Sequence, residues 1–340
     1  MRDYFIRRLL LIPPTLIGVT LIVFAITRFV PGGPMDQALA QARAVSSEGG
    51  GAGGSSAEQM SLSKEQLNQL KEYYGLDKPW YVAYPLWLGK VCKGDLGMSF
   101  RFTEPVGKVI RERLPISIYY GLTTLLITYL VCIPLGIAKA VRHNSLFDTS
   151  SSIFVFIGYA IPGYVLGALL WVFFAAKMEW FPTSGFMSYD FEDMTLGGKA
   201  WDIVHHSILP LICYLVGSFA FTTFLMKNTL MDNLAADYVR TAVAKGVTFK
   251  QAVRRHALRN SLIPMATSLG HQVTALLTGS FLIEVIFDID GFGLLGFDSA
   301  IHRDYPVVMA IALFSALLVL LGNILADVLV ALCDPRVRFE

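Results

Sequence analysis

The amino-acid sequence predicts an all-α membrane protein with six transmembrane helices and a long outer loop between the first two. Three observations predict it. Of the 340 residues, 54% are hydrophobic and only 16% are Asp, Glu, Lys or Arg, where a soluble protein has about 25% charged residues. Charges vanish from six windows, Leu9–Thr27, Leu114–Ala138, Thr149–Ala176, Ile203–Met226, Asn260–Ile283 and Tyr305–Ala326, each at or above the ~18 residues of a bilayer-spanning helix. With the N-terminus inside, the inner side carries fourteen basic residues against six acids, a net +8, and the outer side carries −4, the asymmetry expected when Lys and Arg stay in the cytoplasm. Both termini are therefore expected to be cytoplasmic. The overall +2 hides this polarity, which points to membrane topology and away from nucleic-acid binding, and six spans leave little room for a soluble catalytic domain.

Residues 1–28 hold a short basic tail and the first window. At 19 residues the window exceeds the usual 7–15 of a secretory signal core and reads as a retained span. Residues 29–113 form the outer loop. Its Gly/Ser-rich linker over 46–57 has nothing to bury. A helix is expected from Ser63, with Gln66 at capping-box distance, to Gly75. Trp80, Tyr81, Tyr84 and Trp87 then suit a membrane surface; an external cap lying on the bilayer and a docking face for another protein both fit. Residues 114–340 form a five-helix core. Pro134, Pro162 and Pro210 predict kinks in spans two, three and four. The second outer loop reads as an interfacial turn followed by a solvated segment. Of the four cysteines, Cys132 and Cys213 lie within spans, Cys333 at an inner end and Cys92 outside, so no disulfide framework is expected.

The inner loop 227–259 is the one cytoplasmic connection long enough for helices of its own. A first helix, containing Asp237, Tyr238, Arg240, Thr241, Ala242 and Lys245, ends at Gly246, which suits a left-handed position. Thr248 opens a second helix with Gln251 at capping-box distance. The product is a helix–glycine–helix elbow. A basic amphipathic loop resting on anionic lipid, at ~1 kcal/mol per basic residue, accounts for the same residues, and the two readings stand side by side here.

At the elbow the sequence resembles the membrane-spanning subunits of ATP-binding-cassette importers, whose E-A-A-x-x-x-G-type loop docks on the ATPase. Here the loop reads Arg240-Thr241-Ala242-Val243-Ala244-Lys245-Gly246. It keeps the last alanine and the glycine and replaces the Glu and first Ala. Asp237-Tyr238-Val239-Arg240-Thr241-Ala242 resembles the dipeptide/oligopeptide branch. So do Pro31–Pro34, Gly94–Ser99, Ile133–Gly136, Ile161-Pro162, His256–Asn260, Glu284–Phe287, Arg303–Pro306 and Asp334–Arg336. Gly158–Pro162, Lys227-Asn228 and Gly293–Gly296 are similar to the Yej-type importers of peptides and the peptide antibiotic microcin C; nickel and glutathione importers share much of the pattern. The resemblance implies a type I importer permease in the bacterial inner membrane. Its implied partners are a second homologous permease, cytoplasmic ATPase subunits and an extracytoplasmic peptide-binding protein. It also implies that Asp237, Tyr238, Arg240, Thr241, Ala242, Lys245 and Gly246 couple transport to ATP hydrolysis.

The residues fit an incomplete machine. No G-x-x-x-x-G-K-[ST] phosphate loop occurs in the sequence, so ATP and Mg are expected on partner subunits and no cofactor on this chain. An intramembrane hydrolase would need a nucleophile–base pair or metal ligands, and the six histidines include no His-Glu-x-x-His run. The adjacent His205 and His206 diverge by about 100° on a helix and are expected at an interface. An ion channel would need a filter, and no central span carries a charge. Candidates for the translocation path are His271, Gln272, Thr274 and Thr278 of the fifth window. His271, Thr274 and Thr278 share a helical face, as cavity lining or equally as interhelical glue. Asn323 and Asp327 add polarity to the sixth, where Asp327 is expected to bond neighbours or reach water.

Overall fold

The computed structural model describes residues 2–29, 77–277 and 279–333. Among these it is helical apart from turns and one isolated bridge, Met98 with Pro105. The helices are α1 (Arg2–Phe29), α2 (Trp80–Val91), α3 (Val106–Val141), α4 (Leu146–Ala160), α5 (Gly163–Leu170, extended by a π-type stretch Trp171–Lys177), α6 (Leu196–Ala235), α7 (Asp237–Ala244), α8 (Phe249–Ala252), α9 (Leu258–Leu277), α10 (Phe281–Ile286), α11 (Phe292–Ile301) and α12 (Tyr305–Cys333). The linker over 46–57 and the helix expected from Ser63 lie outside the described residues.

Among the described residues four helices, α1, α3, α6 and α12, are long and apolar enough to cross a membrane, and α4 with α5 makes a fifth if that bent pair is one span. The prolines act unequally. Pro134 and Pro210 lie inside the continuous helices α3 and α6, whereas Ile161-Pro162 separates α4 from a second limb turned by 88°. Ile161 has left the helical region, at φ −95°, ψ 119°, as expected of a residue preceding proline. The fifth window is also divided: α9 stops at Leu277, Gly279 has φ +75°, and α10 begins at Phe281. With Asn260, Ser261, Thr267, Ser268, His271 and Gln272 along it, α9 is not among the helices apolar enough to span.

The chain divides into two compact units: Met1–Ile12 with Arg111–Phe297 and Leu317–Glu340, and Pro13–Ile110 with Asp298–Ala316. In the first, one core cluster joins Ala140, Met226, Leu230 and Met265 to Val239, Ala252, Val253 and Ala257. A second gathers Tyr120, Leu209, Cys213, Ile283, Phe287 and Ile289. At ~1.5 Å per residue, the 40 residues of α6 run about 60 Å, twice the ~30 Å hydrocarbon core. One unbroken helix therefore runs from an apolar segment long enough to span into the 227–259 loop. In the second unit, α2 leans on α1 through Tyr84, whose hydroxyl donates to the Ile17 carbonyl at 3.0 Å and lies 3.0 Å from Thr20 Oγ1, while Trp80 and Tyr81 stay exposed. The second outer loop is more ordered than expected: Asp202 accepts from the Ser188 amide at 2.8 Å and hydroxyl at 2.6 Å, and Trp171 Nε1 donates to the Thr183 carbonyl at 2.7 Å.

Candidate functional site

The elbow is built by a helix stop. Residues 237–244 form α7, and the chain then reverses through a paired turn: the Gly246 amide donates to the Val243 carbonyl at 2.9 Å and the Val247 amide to the Ala242 carbonyl at 3.2 Å. This is a Schellman termination, with Gly246 at φ +91°, where a Cβ would clash with the backbone. Thr248 then stands in extended geometry before α8, and its carbonyl accepts the Ala252 amide. Its side chain makes no capping bond, so the capping box read from Thr248 and Gln251 is not formed. α8 passes through a π-type turn, Val253–Ala257, directly into α9.

Two faces result. Val239, Ala252, Val253 and Ala257 are buried in the inner core cluster and Val247 packs against it. Asp237, Tyr238, Arg240, Thr241, Lys245 and Gly246 are exposed, Ala242 half-buried, and Val243 and Phe249 are apolar groups left in the open. A Cβ built on Gly246 would meet nothing within 4 Å, so a substitution there would strain the backbone without displacing a neighbour in this chain. A bracket holds the elbow's ends: Tyr238 OH donates to Asn233 Oδ1 at 2.6 Å, and Asn260 Nδ2 donates to Tyr238 OH at 3.1 Å. The likeness at Asp237–Ala242 and that at His256–Asn260 thus meet through one phenol.

Other separated motifs meet in the same way. Asp148, at the start of α4, lies 2.8 Å from Lys227 Nζ of α6 and 3.1 Å from Lys139 Nζ of α3. All three are buried. In the sequence Lys139 stood only as a charge bounding a window and Lys227 as one more such charge within the Lys227-Asn228 likeness; their shared carboxylate carries no local signal. Glu284 of α10, also buried, accepts the Leu294 amide at 2.5 Å in the first turn of α11 and the Tyr214 hydroxyl at 3.4 Å. Glycine is required around it, since a Cβ on Gly291 would lie 2.6 Å from its carboxyl carbon. In the second unit, Asp304 accepts bonds from Ser99 Oγ, from the Phe100 amide at 3.2 Å and from the Arg101 amide at 3.3 Å. Gly94–Ser99 and Arg303–Pro306 are therefore halves of one latch.

The fifth-window candidates are only partly placed. Gln272 Nε2 donates to Thr222 Oγ1 of α6 at 3.3 Å while its Oε1 is buried without a partner, an interhelical contact. The side chains of His271, Thr274 and Thr278 lie outside the described residues. His205 and His206 turn apart, to the Trp180 and Asp202 carbonyls, each at 2.9 Å. Asp327 pairs with Arg8.

Comparison with known proteins follows this geometry. Residues 132–339 match the family of binding-protein-dependent transport system inner membrane components. The whole chain is 39% identical to the whole of an inner membrane ABC transporter permease protein, YejB, of Escherichia coli O157:H7. It is 36% identical, over all of this chain and 99% of the relative, to a peptidoglycan transport system permease protein YejB of Agrobacterium fabrum, and 35% identical over both full lengths to the oligopeptide transport system permease protein AppB of Bacillus subtilis. Among solved structures it is similar to a chain of the inward-facing MetNI methionine ABC transporter, at 15% identity and TM-score 0.48 over 66% of this chain and 96% of that one. The chain belongs to the binding-protein-dependent transport system inner membrane component family, as a permease of the dipeptide/oligopeptide ABC type alongside the YejB proteins.

Proposed function

We propose that this chain is the membrane-spanning subunit of an ATP-driven importer that carries peptides or peptide-like compounds, including peptide antibiotics of the microcin C kind, across the bacterial inner membrane by alternating access. The relatives' names supply the substrate class. The elbow at Gly246 is the observation that carries the mechanism: a rigid turn anchored from below presents Tyr238, Val243 and Phe249 among charged neighbours, a mixed apolar and polar surface suited to a protein partner. Asp237, Tyr238, Arg240, Thr241, Ala242, Lys245 and Gly246 would meet an ATPase subunit that binds ATP and Mg. A second permease would complete the bundle, a peptide-binding protein would deliver cargo outside, and α9 would supply a sixth span, with His271, Gln272, Thr274 and Thr278 as the candidate path residues. Two states that bind ATPase and cargo differently suffice for alternating access.

The test is reconstitution with the partner subunits and binding protein in lipid vesicles, with labelled tri-alanine as probe. Uptake that requires ATP and is lost without the ATPase is expected. Uptake down a gradient without ATP would indicate a channel and overturn the reading. The topology has a separate check: Cys92, which is exposed, should react with an impermeant thiol reagent from outside, and a cysteine replacing Lys245 should not. The opposite labelling would invert the orientation.

A further inference from the structure

The buried charges at the inner ends of α3, α4 and α6 form an uneven set. Asp148 is one carboxylate between two ammonium groups, with side chains 0% exposed at Lys139, 6% at Asp148 and 11% at Lys227. Lys139 is over-provided: its Nζ donates to the Asp148 carbonyl at 2.8 Å, Ser151 Oγ at 2.9 Å and Ser152 Oγ at 2.7 Å, as well as pairing with the carboxylate. The Asn144 amide also donates to the carboxylate, at 3.2 Å. Lys227 has the two carboxylate oxygens, each at 2.8 Å. A one-to-one pair of Lys139 with Asp148 would therefore already satisfy the burial of α3 against α4, because buried charges need partners. The second lysine adds a buried charge and a bond to a third helix.

That third helix bears the elbow. Lys227 lies beside Met226 and one turn before Leu230, both of which pack against Val239, Ala252 and Val253 of the elbow. Asp148 is in the first turn of α4, the first limb of the bent pair. Beyond the charge knot, α6 keeps to both limbs: Phe156 stacks on Phe224 with centroids 4.6 Å apart, and a Cβ on Gly163 would come within 2.9 Å of the Cys213 carbonyl oxygen.

We propose that Lys227, through its bidentate bond to Asp148, is a positioning residue that fixes the register of the elbow-bearing helix against the first limb of the bent pair, so that displacement of the elbow moves that limb. The transport consequence rests on the importer reading; the register does not. Lys227→Met is the discriminating variant, because it cuts the bond to α6 while leaving Lys139 and Asp148 as a matched pair, and the loss of one buried charge is costly chiefly when it leaves its partner uncompensated. In the reconstituted complex, Lys227→Met is expected to keep ATP hydrolysis and the thermal midpoint but to lower tri-alanine uptake per ATP tenfold or more, with Lys227→Arg retaining most of it. Spin labels on Phe154→Cys of α4 and Lys245→Cys of the elbow, in a background free of native cysteines, give a readout that needs no cargo. One narrow distance distribution is expected with Lys227 or Arg, and a broadened one with Met. An unchanged distribution, wild-type uptake per ATP in Lys227→Met, or uptake that falls only in proportion to a lowered thermal midpoint would each overturn the proposal. Absence of ATP-dependent uptake in the wild-type complex would instead count against the importer reading, and the distance measurement would still decide the register.

Discussion

Gly246→Val is expected to leave the protein inserted in the membrane and to abolish most ATP-driven uptake. At φ +91° a β-branched residue is a genuine backbone outlier, and left-handed geometry costs an L-residue ~1–2 kcal/mol. With open space around the would-be Cβ, that strain has no compensating contact to gain and no core to disrupt. It is relieved by unwinding the Schellman turn, which frees the Val243 and Ala242 carbonyls and lets α7 swing relative to α8. The spans are remote from this change. A surface that must be complementary to a partner loses its shape, and shape rather than area sets affinity. Uptake is expected to fall tenfold or more with the ATPase released during purification, while Gly246→Asn, which tolerates the left-handed region, keeps more of both. Lys250→Ala, on the exposed surface of α8, should change uptake less than twofold. A loop that merely rests on anionic lipid would give the opposite ranking, since each lysine near such a surface is worth ~1 kcal/mol and a glycine nothing. Measuring uptake and ATPase co-purification for the three variants separates the readings; normal transport by Gly246→Val would remove the elbow from the mechanism.

The local fold of the elbow was legible because its signals are local. A run of helix formers followed by glycine fixes where α7 ends. Spacing misled at Thr248 and Gln251: it permits a capping box without enforcing one, and the extended N-cap is held by its backbone carbonyl instead. Hydropathy located the apolar helices and could not count the spans, because freedom from charge is not the same as being apolar. The window from Asn260 is free of charge yet rich in hydroxyl, amide and imidazole groups, and Gly279 breaks it. The partners of Asp148, Glu284 and Asp304 were out of reach for a different reason. Lys227 is 79 positions from Asp148 and Ser99 is 205 from Asp304, the nearer partners Lys139 and Leu294 sit on other helices, and no periodicity of 3.6 residues registers which group of another element will arrive beside a carboxylate.

The outer latch is where that long-range pairing should matter most for stability. Ser99 and Asp304 are 0% and 1% exposed, and 205 positions separate them. The approach to Ser99 is shaped by local turns, with Gly94 and Gly97 at φ +84° and +85°, Asp95 Oδ1 accepting the Gly97 amide at 2.9 Å, and the Ser99 amide donating to the Glu104 carbonyl at 2.9 Å. These turns deliver the Phe100 and Arg101 amides to a carboxylate carried by the residue before α12. Asp304→Ala strands that hydroxyl and both amides at once. An unsatisfied buried donor costs about 1–3 kcal/mol, so even with one group rescued by water the loss should be about 3–5 kcal/mol. At ~2–4 °C per kcal/mol, the unfolding midpoint of the purified protein is expected to drop by about 6–20 °C as the Gly94–Arg101 segment detaches. Asp304→Asn, which keeps one acceptor but turns an amide group toward donors, should fall between. Arg101→Ala is the control for charge: it removes the ion pair to Asp298, whose arginine is more than a third exposed, leaves the Arg101 amide in place, and should shift the midpoint by less than about 4 °C, because a solvent-exposed pair is worth at most ~1 kcal/mol. Equal shifts for Asp304→Ala and Arg101→Ala would mean that the latch is held by surface charge, and no shift in either would mean that the carboxylate closes nothing.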